Sequence, residues 1–103
     1  MARKNVLIVL DSRDNIAIAL QDLVIGTVIT QTDISGELHV ATAIPRGHKI
    51  ALQDIEKSDP IIKYGERMGH ATSPIARGSH VHIHNVIGDR VSTEPNSSLD
   101  KQS

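Results

Sequence analysis

The chain has 103 residues, 39% of them hydrophobic, and a formal net charge of −1 at pH 7. This length suits a single domain, and its core must be aliphatic because the chain holds one tyrosine, no Trp and no Phe. The charge and the scarcity of aromatic rings exclude the basic or base-stacking surfaces of nucleic-acid-binding proteins and a basic membrane-binding patch. The absence of cysteine excludes a disulfide framework and thiolate chemistry.

The N-terminus is basic and precedes a short apolar run, Val6 to Leu10. Five apolar residues are too few for the hydrophobic segment of a signal peptide and too few to span a bilayer. The run therefore predicts a strand that is buried on both faces. We expect a cytoplasmic protein that does not associate with a membrane.

Apolar residues at every second position dominate the rest of the chain. In Asn15 to Leu20, this spacing would bury Ile16, Ile18 and Leu20 on one face and leave alanines on the other. Further short strands are predicted at Thr27 to Gln31, Leu38 to Thr42, Lys49 to Leu52, Ile61 to Tyr64, Arg67 to Ala71 and Val81 to Val86. Because no window shows sustained helical spacing, the predicted fold class is all-β, a barrel-like or folded-ribbon domain.

A second pattern occurs four times: an aliphatic residue, then glycine or serine three positions later, then another aliphatic residue after three more. The copies are Leu23/Gly26/Ile29, Ile44/Gly47/Ile50, Ile55/Ser58/Ile61 and Ile75/Gly78/Val81. Each copy predicts one helical turn that buries the first aliphatic residue, a positive φ at the glycine, and a strand that carries the second aliphatic residue inward. Ser58 departs from the glycine rule, but Asp59-Pro60 after it favours a turn.

The C-terminal segment, residues 89–103, contains two aliphatic residues. It cannot bury enough apolar surface to order itself. We therefore expect a domain at residues 1–88 followed by a flexible polar tail.

Three of the six histidines lie within five positions, in the segment His80 to Asn85. On a strand, alternate residues point the same way, so three imidazoles would line one face and Val81 and Ile83 the other. Two histidines at this spacing can chelate a divalent metal when another ligand joins them, and imidazole is also an acid or base near neutral pH. The alternative is an edge strand whose polar face consists of histidine.

Two other segments hold candidate functional residues. Gly47-His48-Lys49 places a histidine and a lysine beside a turning glycine, where functional side chains cluster, although a solvated turn is the alternative. Lys63 to Gly69 is typical of a tight hairpin with Gly65-Glu66 as its turn. Tyr64 would bind a substrate through its hydroxyl or fill the core. The neighbouring basic residues would attract a carboxylate or face water.

Taken together, these motifs resemble the N-terminal module of the altronate and galactarate dehydratases. Met68-Gly69 stands where the family carries Ile-Gly. The matching stretches extend from about Val6 to Val86 and include Asp14 to Gly26, Ile44 to Leu52, Ile61 to Gly65, Ile75 to Gly78 and Val81 to Asn85. The resemblance implies the SAF fold, a β-clip made of a folded β-ribbon with short helical turns. This agrees with the all-β prediction.

The resemblance also implies a function. The family consists of hydro-lyases that dehydrate sugar acids with a divalent metal, Fe²⁺ or Mn²⁺, and in single-chain members a much larger domain follows this module. The chain is therefore expected to be a small subunit. Both metal binding and activity are expected only in the complex with a large dehydratase subunit. A sulfolactate sulfo-lyase subunit, a SAF module that binds an acidic sugar without chemistry, and a metal-storing β domain are the alternatives. An exposed ribbon edge would also favour pairing of two copies.

Carried over residue by residue, the family motifs identify four catalytic residues: His48, Lys49, His82 and His84. The first two are expected to face the substrate. The two later histidines are expected to bind the metal or donate protons. The substrate-binding residues implied are Lys63, Tyr64 and Asn85. His80 receives a supporting role at most, because neither it nor His39 nor His70 matches a family position.

Overall fold

The computed structural model of this chain describes residues 5–89. These residues form nine short strands in three antiparallel sheets, which confirms the predicted all-β fold and is consistent with a SAF β-clip. The strands are β1 (Leu7–Ile8), β2 (Ile16–Ala19), β3 (Val28–Ile29), β4 (Leu38–His39), β5 (Lys49–Ala51), β6 (Pro60–Lys63), β7 (Glu66–Ala71), β8 (His80–Val81) and β9 (Val86–Gly88). Within residues 5–89, no helix has the length and apolar character needed to span a bilayer. The predicted tail lies outside the described residues from position 90 onward.

The sheet topology brings distant segments of the chain together. The first sheet has the order β1-β2-β5-β8, the second pairs β3 with β4, and the third has the order β6-β7-β9. In the first sheet, Ile50 on β5 lies opposite Ala17 on one side and His80 on the other. The segment that contains His48 and Lys49 is therefore a direct neighbour of the segment that begins at His80.

The repeated aliphatic–glycine–aliphatic pattern forms four equivalent turns. Each turn is closed by a backbone hydrogen bond of 3.0–3.2 Å, which the residue after the glycine or serine donates to the residue after the first aliphatic residue. A single turn of this kind replaces the predicted turn of helix. The φ angle of the glycine or serine is positive in all four turns: Gly26 (91°), Gly47 (85°), Ser58 (75°) and Gly78 (89°). All eight aliphatic residues of the pattern are at most 4% exposed, which confirms their predicted place in the core.

The core consists of two aliphatic clusters that lie on opposite faces of the first sheet. Neighbouring residues on one strand belong to different clusters. On β5, Ile50 belongs to the first cluster and Ala51 to the second. On β2, Ala17 belongs to the first cluster and Ile16 to the second. Each fully buried isoleucine contributes about 1.5–3 kcal/mol relative to an exposed one. Both faces of this sheet are therefore buried over these residues.

Two details of the first two strands differ from the sequence prediction. Ile8 is 43% exposed, because β1 is an edge strand, so the run from Val6 is not buried on both faces. Leu20 is 46% exposed because it follows the end of β2. The alanine face of β2 is also buried, since Ala17 and Ala19 pack in the first cluster.

The prediction of a continuous strand from Val81 to Val86 is wrong. Strand β8 ends at Val81, a turn follows, and β9 begins at Val86. The side chain of Asn85 accepts the backbone N–H of His82 at 2.9 Å and donates to the carbonyl of His80 at 2.8 Å. These bonds compete with a strand ladder and close the turn. Ile83 is consequently 85% exposed rather than turned toward the core.

The β6–β7 hairpin is confirmed, but its turn is Tyr64-Gly65 rather than Gly65-Glu66. Lys63 pairs with Glu66 across the strands, and the two turn residues have φ angles of 57° and 72°. Two positive φ angles are the mark of a type I′ turn. The buried carboxylate of Asp14 accepts both turn N–H groups, at 3.0 and 2.8 Å. Tyr64 is 61% exposed and therefore does not fill the core.

Candidate functional site

Three imidazoles converge where β5 and β8 lie side by side. A ring nitrogen of each of His48, His80 and His82, here called the histidine trio, lies within 4.8 Å of the other two. His48 Nδ1 and His80 Nε2 form a hydrogen bond of 2.8 Å. The rings of His48 and His82 stack with their centroids 4.2 Å apart. The trio is the only group of this kind among histidine, cysteine and carboxylate side chains in the described residues.

The other histidines lie outside the trio. His84 stands next to it, with its ring centroid 5.1 Å from that of His80, and it lines a separate polar cleft together with His80 and Asn85. His39 is paired with Glu37 on the surface at 3.4 Å. His70 Nδ1 lies 3.1 Å from the carboxylate of Asp89. Of the histidines predicted from the sequence, His48 and His82 are therefore brought together, and His84 is adjacent to them.

A cleft of about 320 Å³ opens beside the trio. Its polar side chains are those of Lys49, Lys63 and His82, and its remaining walls are mostly apolar residues of β6 to β9 and the turn after β8. Neither lysine forms an ion pair within residues 5–89. Two lysines without an ion-pair partner in the described part of the chain, lining a largely apolar cleft, favour the binding of an anion.

The surroundings shift the pKa values of the site residues toward the neutral form. Burial, followed by the positive charge of Lys63, lowers the pKa of Lys49. Burial, followed by the neighbouring charge of His48, also lowers the pKa of His80 and His82. A neutral imidazole is the form that binds a metal, and a lysine with a lowered pKa can act as a base near neutral pH.

The remaining predicted residues contribute less directly to this cleft. The Nζ atom of Lys63 lies 5.6 Å from the ring centroid of Tyr64, which is exposed on the turn and does not line the cleft. Both polar atoms of the Asn85 side chain bind backbone groups of the histidine turn. Asn85 therefore supports the backbone of the histidine turn, and Tyr64 does not line the cleft.

The sequence prediction placed too little weight on one histidine of the trio and on two residues that position the site. His80 belongs to the trio, and its spacing of two from His82 was the signal for it. Thr42 holds His80 in place by accepting its backbone N–H at 2.9 Å, and no motif indicated this residue. Asp14, which fixes the hairpin that follows Lys63, was identified only as part of a matching stretch.

The chain matches the model of the altronate/galactarate dehydratase SAF domain over residues 5–89. It is 43% identical to the altronate dehydratase of Bacillus subtilis (strain 168) over 74 residues and 47% identical to that of Escherichia coli (strain K12) over 73 residues. These matches cover 72% and 71% of this chain but 14% of each relative. The (2R)-sulfolactate sulfo-lyase subunit alpha of Paracoccus pantotrophus is 38% identical over 58 residues, which are 56% of this chain and 87% of that protein.

Proposed function

The chain belongs to the altronate/galactarate dehydratase SAF-domain family, and from this premise we propose that it is one component of a lyase that acts on an acid. It supplies side chains to an active site that a dehydratase-type catalytic domain, carried on a large subunit, completes. The observation that carries this proposal is the cleft in which Lys49, Lys63 and His82 meet beside the histidine trio.

Two comparisons support the division of labour between domains. In the altronate dehydratases, the matched segment is 14% of the protein, so most of each relative lies outside it. In the two sulfolactate sulfo-lyases, the matched protein is named subunit alpha, and the match covers 64% and 87% of it. A domain of this family therefore occurs both within a long chain and as the main part of a subunit. We propose the second arrangement here.

The proposed reaction is elimination of a group β to a carboxylate. A base must take the proton from the carbon next to the carboxylate, and an acid or a metal must assist the leaving group. Lys49 is the proposed base, acting as the neutral amine, because burial lowers its pKa and the residue lines the cleft. Lys63 binds the substrate carboxylate, whose negative charge would otherwise oppose removal of the proton.

The histidines fit the divalent metal that the family resemblance implies, Fe²⁺ or Mn²⁺. Their close spacing and the lowered pKa values of His80 and His82 leave unprotonated ring nitrogens for a metal ion. When bound, such an ion acts as a Lewis acid for the departing oxygen. Lys63 would hold the carboxylate in the neighbouring cleft.

The test compares the chain alone with the chain mixed with a dehydratase-type large subunit. Altronate and galactarate are the first substrates, and the product is measured by its keto group. We expect no turnover by either protein alone and turnover by the mixture. Full turnover by the chain alone would show that no second subunit is needed, whereas tight binding of an aldarate by the chain alone, without turnover by the mixture, would favour a binding module.

A sulfo-lyase is the second candidate function, because the match covers 87% of one sulfo-lyase subunit alpha. The same cleft would then bind sulfolactate, and the leaving group would be sulfite rather than water. A sulfite assay on the mixture with sulfolactate distinguishes the two reactions. Sulfite release without any dehydration of sugar acids would replace the first candidate by the second.

A further inference from the structure

We propose that this chain, without a partner, binds one divalent transition-metal ion through His48, His80 and His82. This assignment differs from the sequence prediction, which paired His82 with His84 and expected the metal only in the complex with a large subunit. It rests on the proposed function only for what the ion does in the reaction. Binding itself is a property of the isolated chain.

The spacing of the ring nitrogens suits a shared ion. Two imidazole nitrogens bound to one metal at about 2.0–2.1 Å lie about 3 Å apart. In the trio, one pair is already 2.8 Å apart, and all three nitrogens lie within 4.8 Å of one another. Rotation of the stacked rings about their side-chain bonds would turn the three nitrogens toward one ion, and the hydrogen bond between His48 and His80 would be exchanged for two metal bonds.

The backbone of each ligand is fixed before any metal arrives. The carbonyl of His48 accepts the N–H of Ala19 at 2.8 Å, so this histidine is tied to β2. The N–H groups of His80 and His82 are bound by the side chains of Thr42 and Asn85, each at 2.9 Å. Ordering the ligands then costs side-chain rotation only, which favours binding by a preformed site.

His80 is a better third ligand than His84 because the ligand nitrogens of the trio lie close together and His84 is not a member of that group. The trio also reaches the cleft that contains Lys49, since His82 lines it. Three imidazoles leave coordination positions open, as in catalytic metal sites, and the ion would be within reach of a substrate held in the lysine cleft.

The full chain, purified without a histidine tag and stripped with a chelator, is titrated with Co²⁺ and with Zn²⁺. Calorimetry gives the stoichiometry and affinity, and the visible bands of Co²⁺ report the ligand set. We expect one ion per chain. His80→Gln should weaken binding by at least about 100-fold, beyond the 10–100-fold typical of residues that only orient a ligand, and should change the Co²⁺ spectrum.

His84→Gln and His39→Gln are the matched controls and should leave the affinity and the spectrum unchanged. Circular dichroism and thermal unfolding establish that each variant is folded. Loss of binding in His84→Gln with retention in His80→Gln would overturn the assignment, as would the absence of stoichiometric binding by the unsubstituted chain. If the chain binds metal as expected but the mixture with a large subunit has no lyase activity, the proposed function fails and the metal site stands.

Discussion

The side chain of Asn85 accepts the backbone N–H of His82 at 2.9 Å, and its amide donates to the carbonyl of His80 at 2.8 Å. One buried amide therefore binds the backbone on both sides of Val81. The turn it closes directs His82 toward His48 instead of along an extended strand. Asn85 is thus a positioning residue for the histidine trio.

Replacing Asn85 by alanine should loosen the trio. The substitution leaves two backbone groups without their side-chain partner, which costs about 1–3 kcal/mol of the free energy of unfolding. The affinity for Co²⁺ should also fall by about 10–100-fold, as is typical when a residue that orients a metal ligand is removed. Calorimetry and urea unfolding measure the two effects separately.

Asn15→Ala is the matched control for this variant. Asn15 is also a buried asparagine that binds two backbone groups, the carbonyl of Pro60 and the N–H of Ile62, both at 2.8 Å. Its loss should reduce the stability by a similar amount while leaving the Co²⁺ affinity of the folded protein unchanged. Equal losses of metal affinity in both variants would show that Asn85 acts only through overall stability.

The pattern of apolar residues predicted most of the fold. It located β1 to β7 but merged β8 and β9 into one strand, and the fourfold pattern located four turns with their positive φ angles. The strand expected after Val81 fails because a side-chain amide closes a turn there. The hairpin turn is shifted to Tyr64-Gly65 because Asp14, 51 residues before Gly65 in sequence, binds both N–H groups. Hydrogen bonds from side chains to the backbone, whether local or distant in sequence, leave no periodic signal.

The candidate site was predictable as a set of motifs but not as a geometry. The family motifs contain His48, Lys49 and His82, and these residues do come together. Their proximity depends on the pairing of β5 with β8, which joins segments about thirty positions apart. That pairing also makes His80 a neighbour of His48, although the motif comparison assigned it no position.

If the proposed two-subunit lyase forms, the two lysines of the cleft should have different effects on its turnover. Lys49→Met removes the proposed base and should lower kcat by about 10²–10⁴-fold. Lys63→Met removes a charge that binds the carboxylate and should mainly raise KM, by about tenfold or more, since a charged hydrogen bond contributes about 1.5–3 kcal/mol. Steady-state kinetics with the acid substrate separates these outcomes.

Lys57→Met is the control for the lysine variants, because Lys57 is exposed on the turn before β6. It should leave kcat and KM unchanged. All three variants should retain Co²⁺ binding, since none of them alters the histidine trio. A kcat for Lys49→Met close to that of the unsubstituted enzyme would exclude Lys49 as the base.

The metal-free chain should lose stability as the pH is lowered from 7 to 5. The pKa values of His80 and His82 are lowered from the ordinary value of 6.5, first by burial and then by the charge of His48. Below pH 6.5 the unfolded chain consequently binds more protons than the folded chain, so the free energy of unfolding falls with decreasing pH until the folded-state pKa values are passed. Urea unfolding at several pH values measures this slope.

Two carboxylates with lowered pKa values, Asp11 and Asp89, affect the stability at more acidic pH than this window. The pKa of Asp11 is lowered to about 2 by its hydrogen bonds with Arg13, and that of Asp89 is lowered from 3.8 by His70 and Arg67. Their stabilising effect is lost only at more acidic pH. The double variant His80→Gln/His82→Gln should flatten the slope between pH 7 and 5, and an unchanged slope would mean that other groups cause it.

Among the four turns of the repeated pattern, Ser58 should be the residue at which a change to glycine increases stability. Its φ of 75° is close to the values of 85–91° at the three glycines that occupy the same place in the repeated pattern. A residue with a Cβ atom costs about 1–2 kcal/mol in this left-handed region. Glycine loses more backbone entropy on folding, by about 0.5–1 kcal/mol, so Ser58→Gly should raise the free energy of unfolding by up to about 1 kcal/mol.

Two alanine substitutions complete this test. A Cβ atom at Gly26 would meet no atom within 4 Å, so Gly26→Ala should lose only the conformational cost of about 1–2 kcal/mol. A Cβ atom at Gly78 would collide with the backbone carbonyl of His39, so Gly78→Ala should cost more than Gly26→Ala. Urea unfolding of the metal-free chain gives all three values. If Ser58→Gly destabilised the protein as much as Gly26→Ala does, the four turns would not be energetically equivalent, and the serine would have to stabilise the fold through its side chain.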